Sequence, residues 1–89
     1  MAEFFDALSA LCAREMSAAT KAADYDRSAA VIEGLATMLG RSIAAASRGD
    51  SATISNVLAW VENHIAAEAA GFAGVIHLGV LARTRRADP

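Results

Sequence analysis

His64–Arg86, HIAAEAAGFAGVIHLGVLARTRR, decides how the rest of the chain is read. Three structures suit such a stretch: a membrane span closed by arginines, a metal site of two histidines and a glutamate, or the apolar seam of a helical bundle. Length tests the first. Glu68 and His77 interrupt the stretch, and the part free of carboxylate and arginine, Ala69–Ala82, is only fourteen residues. About 20 are needed to cross the hydrocarbon of a bilayer. Arg83, Arg85 and Arg86 follow as a positive flank would. Alanine and glycine dominate, however, so transfer into lipid is only weakly favoured. The sequence is read as having no membrane span.

Ligand geometry tests the second. His64 and Glu68 are four residues apart and share a helix face, but His77 lies thirteen residues from His64, about 220° around a straight helix. One imidazole and one carboxylate are too few to specify a metal. Carboxylate–histidine sites in bundles also use the opposite order, Glu-x-x-His. No metal and no cofactor is expected, and His64 and Glu68 are read as a polar pair beside an apolar seam.

The seam remains. Gly71 and Gly74, with Ala67, Ala70 and Gly79, offer surfaces with little side chain, which let another backbone approach closely. Phe72, Ile76 and Leu78 are the larger knobs. Glu68 lies near the stripe and would need a partner once buried. Trp60 has the place of a partly exposed interfacial aromatic. The expected contact surface is therefore Trp60, Glu68, Gly71, Phe72, Gly74, Ile76 and Leu78.

Outward from this stretch the chain is helical throughout. Its single proline is Pro89, and β-branched residues never form an alternating run. Interruptions are expected at KAADYDRS, where Asp24 or Asp26 caps a helix, and at SRGDSATIS. In the latter, Gly49 closes one helix in a left-handed conformation and Asp50, Ser51 or Thr53 caps the next. Three helices result, at about residues 2–22, 26–47 and 51–84, followed by a basic tail at 83–89. Apolar residues recur at spacings of three and four in each, including Phe4, Leu8 and Leu11, then Ile32, Leu35 and Leu39, then Ile54, Leu58 and Val61.

The fold expected is a single all-α domain over residues 1–89, a small bundle of three helices. The lengths do not match: about 32 Å for each of the first two, about 54 Å for the third if unbroken. Either the third segment kinks or splits near Gly71–Gly74, or its second half meets another subunit. The absence of nearby proline, asparagine or aspartate favours the long helix.

Composition supports association. Residues are 55% apolar in a chain of 89, but alanine supplies much of that, leaving few large side chains for a core. Cys12 is the only cysteine, so no internal disulfide reinforces the fold. Self-association, as a homodimer, is the expected compensation. The lone cysteine and the acidic N-terminal stretch, with Glu3 and Asp6 where a secretory signal is basic, point to a cytoplasmic protein.

Signals for chemistry are sparse. Cys12 falls on an apolar face in register with Leu8 and Met16, as an inert buried thiol would. Serine, threonine and aspartate are assigned to helix ends, where capping accounts for them. No phosphate-binding glycine loop, CxxC or HExxH occurs, and no catalytic residue is expected. A net charge of −2 gives no general pull toward nucleic acid. The chain is thus read as a small non-enzymatic protein of regulatory, adaptor or inhibitor type, acting through contact with itself and an unidentified protein partner. Two alternatives remain open: nucleic-acid association through the arginine tail, and metal or small-ligand binding through His64 and Glu68.

Overall fold

The computed structural model describes residues 2–87, with side-chain surroundings as far as Arg85. It is all-α: α1 spans Ala2–Lys21, α2 spans Tyr25–Ala46 and α3 spans Ser51–Ala87. The first two bounds fall within one residue of those read from sequence. α3 continues unbroken through Gly71 and Gly74, neither of which has positive φ, so the split alternative is set aside. Arg83–Ala87 belong to the helix and not to a separate tail; Asp88 and Pro89 lie outside the described residues.

The turns show why the helices stop where they do. At the end of α1, the Asp24 amide donates to the Ala19 carbonyl at 2.9 Å and the Ala23 amide to that of Thr20 at 3.1 Å. Between these bonds Ala23 sits at φ 51°. This is a left-handed helix closure of the kind usually made by glycine. Asp24 then starts α2, its carboxylate accepting the Arg27 amide at 3.0 Å. One residue thus closes one helix and caps the next, and the link needs only three residues.

An alanine in this conformation carries a steric cost of about 1–2 kcal/mol that glycine does not. Ala23→Gly is therefore expected to stabilise the chain by about 1 kcal/mol, read as a rise in the urea midpoint at unchanged slope. A lowered midpoint would mean that the Ala23 methyl group makes a contact worth more than the strain.

The second turn holds two positive φ values, Arg48 at 51° and Gly49 at 75°. Asp50 starts α3: its carboxylate accepts the Thr53 hydroxyl at 2.6 Å and the Thr53 amide at 2.9 Å. Those bonds, the hydroxyl first, hold the Asp50 carboxyl below its ordinary range. A group with a depressed folded-state pKa stabilises the fold above its ordinary value, and that contribution is lost as pH falls through the folded value. α3 helicity should accordingly decline on acidification below about pH 4. Asp50→Asn should flatten that part of the profile; an unchanged profile would show that the cap contributes nothing.

Serine and threonine are not confined to helix ends. Thr37 and Ser42 lie inside α2, their hydroxyls donating to the carbonyls of Glu33 and Met38, four residues back. Thr84 does the same to Val80 in α3. Such bonds satisfy a hydroxyl within a helix without any cap.

The chain divides into two units, Met1–Ala45 and Ala46–Pro89. The first is a hairpin of α1 and α2, in which Phe4, Leu8 and Leu11 share a groove with Met38, Leu35 and Val31 in reversed order. Near the turn, the Arg27 guanidinium donates to the Glu15 carboxylate at 2.9 Å. That bond lowers the Glu15 carboxyl and raises Arg27, but both groups face solvent, so it contributes little to stability. The second unit consists mainly of α3, and a lone helix has no apolar partner within its own unit.

Burial is slight. Among the described residues only Ala19, at 1%, and Ile43, at 7%, are buried. Cys12 and Met16 are half-buried, as are Val31, Ile54, Val57 and Val61. The apolar stripes are present as the sequence implies, yet Phe4, Ile32, Met38 and Phe72 on them are all more than half exposed.

Candidate functional site

α1 and α2 are amphipathic, whereas the apolar residues of α3 are spread around its circumference. At about 100° per residue they resolve into two faces. One carries Ile54, Leu58, Val61, Ile65, Glu68, Phe72 and Val75, in steps of four and three. The other carries Trp60, His64, Ala67, Gly71, Gly74 and Leu78, in the same steps and about 120° away.

The seven residues expected to form one contact surface divide between these faces. Glu68, Phe72 and Ile76 lie on the first; Trp60, Gly71, Gly74 and Leu78 lie on the second. One straight partner helix cannot cover both. Every one of them is exposed. A methyl group placed at Gly71, Gly74 or Gly79 would meet nothing within 4 Å outside its own helix backbone, so these positions are open in the single chain.

His64 is positioned by Trp60 and not by Glu68. The two rings stack with centroids 5.7 Å apart and planes inclined by 9°. They are four residues apart, so one turn of helix brings ring over ring. No hydrogen bond between His64 and Glu68 is present among the described residues. Nor does any group of three or more histidine, cysteine, aspartate or glutamate side chains converge among them. Sequence reasoning placed Trp60 and His64 in separate arguments, although their four-residue spacing was a signal that they meet.

The hairpin has a surface of its own. A groove of about 580 Å³ runs between α1 and α2, lined by Phe4, Leu8, Leu11, Cys12, Leu35 and Met38 among others. The Cys12 thiol is free and half-buried. The sequence implied apolar stripes here, with Cys12 as a buried thiol; two helices alone leave the groove between them uncovered.

Two helices, Tyr25–Ala46 and Ser51–Arg85, are long and apolar enough to cross a membrane, with mean hydropathies of 1.3 and 1.7 over their best windows. The fourteen-residue stretch judged too short is thus part of a longer apolar helix. Comparison with protein-family models, with characterised proteins and with solved structures gives no match.

Proposed function

We propose that the protein is a non-enzymatic helical module that self-associates and acts by protein–protein contact. The observation that carries this reading is the exposure of apolar side chains in the single chain. Phe4, Phe5, Trp60, Phe72 and Leu78 are each at least 65% exposed, while only Ala19 and Ile43 are buried among the described residues. Large contiguous apolar surfaces on soluble proteins mark contact sites.

Charge favours protein over lipid as the cover. α2 carries Glu33 and Arg41 within its apolar length, and Glu68 falls in the first apolar face of α3. Each is costly at the centre of a bilayer but satisfiable by an opposite charge in a protein interface. Light scattering in buffer without detergent should give a mass of at least two chains at micromolar concentration. A mass near 9.2 kDa would overturn the reading.

Lipid cover is the second reading, favoured by the hydropathy of 1.7 in Ser51–Arg85 and by the arginines that close it. In that case the protein floats with vesicles under alkaline carbonate and precipitates without detergent. The cytoplasmic assignment belongs to the first reading and would fall with it.

A further inference from the structure

We propose that a second copy of this chain packs antiparallel on the C-terminal half of α3, in the register that sets Glu68 level with Arg83 of the second copy. The inference rests on the self-association reading and gives it an orientation and a partner residue.

Glu68, Phe72, Val75, Ile76, Gly79 and Arg83 occupy one strip of α3, within about 100° of arc. The strip is complementary to itself when reversed. Glu68 and Arg83 lie equally far from the Val75–Ile76 bond, one on each side, and so do Phe72 and Gly79. A two-fold axis through that bond brings acid to base at both ends. It also brings the largest side chain of the strip to the residue that has none. At the centre, Val75 of each copy lies level with Ile76 of the other. An isologous dimer requires this reciprocity, since each contact occurs twice.

Among the described residues of the single chain, neither Glu68 nor Arg83 takes part in an ion pair. Glu68 and Arg83 are exposed, and the residues three and four positions from each include no charge of opposite sign other than a protonated His64. Among the described residues the recorded ion pair is Glu15–Arg27, elsewhere in the chain. Phe72 is 65% exposed, and the space beside Gly79 is open. A parallel arrangement in register would instead set Glu68 against Glu68 and Phe72 against Phe72. Like charges facing each other select against it.

The test uses two charge reversals in the full chain, Glu68→Arg and Arg83→Glu, with mass measured by analytical ultracentrifugation at low salt. Each variant alone should dimerise at least about tenfold more weakly than the parent, because both ends of its dimer now repel. Mixed in equal amounts, the two should form a heterodimer of near-parental affinity, since both ends then pair acid with base. Recovery of association and helicity on mixing supports the register even if one variant is unfolded alone. Variants that self-associate as the parent does, or a mixture no tighter than its components, overturn the register while leaving self-association standing. A parent chain that is monomeric overturns both.

Discussion

Replacing Ile43 by alanine is expected to destabilise the protein by about 2–5 kcal/mol, the largest effect of any single truncation in the chain. Ile43 is one of only two buried residues among those described and the only one with a large side chain. Removing its three outer carbons forfeits their transfer from water and leaves a cavity that relaxation closes only in part. Ile43→Val, which loses one carbon, should cost about 1 kcal/mol. Because Ile43 is buried within one chain, the loss should be the same at every protein concentration. Urea titrations of both variants at two concentrations check this. A cost below about 0.5 kcal/mol for the alanine variant would place the site among ordinary surface positions.

Gly71→Ala combined with Gly74→Ala is expected to change stability by about 2 kcal/mol, and the sign reports what faces the second side of α3. Glycine within a helix is less favourable than alanine by about 1 kcal/mol, because its unfolded chain is freer and its backbone more exposed. Both residues are helical, and a methyl group on either meets nothing within 4 Å outside the helix's own backbone. With the Trp60–Gly74 face open to solvent, the double variant should therefore melt higher at all concentrations. With another backbone seated closely on the glycines, the added methyl groups would force it away, and the variant would lose stability in the association step. The antiparallel contact uses the other face, so the account expects the rise. A melt below the parent's would relocate the interface to the glycine face.

How much of this was legible in the sequence follows from what each feature depends on. Helix number and bounds are local matters. Gly49 and Asp50 announce the second turn because glycine adopts positive φ freely and an aspartate carboxylate accepts the first amides of a helix. The same logic did not identify Ala23 or Arg48, both at φ 51°, because neither residue type favours that conformation. Their geometry is imposed by the helices that meet there. The Glu15–Arg27 bond depends on the register of the hairpin, which the spacing of charges along the chain does not reveal.

The apolar stripes were legible as periodicity, but their closure was not, because burial depends on what lies opposite. Leu8 and Leu35 line the same groove from two helices and remain 36% and 42% exposed. On α3 the seven contact residues differ in angle. Gly71 and Phe72 are neighbours in sequence, and a seam that includes both ignores the roughly 100° between them. Following the steps of four and three from Trp60 and from Ile54 separately would have yielded two faces from sequence alone.

The claim that a further copy of the chain covers apolar surface of α3 is tested most directly by thermal melts over a dilution series, followed by helical circular dichroism. Folding coupled to association makes the midpoint depend on protein concentration. The account predicts a midpoint that climbs steadily from about 1 μM to about 100 μM, with helicity declining at the dilute end even below the melt. A midpoint and a helical signal that stay constant across that range would show that the single chain is stable with its apolar faces bare, and would contradict the account.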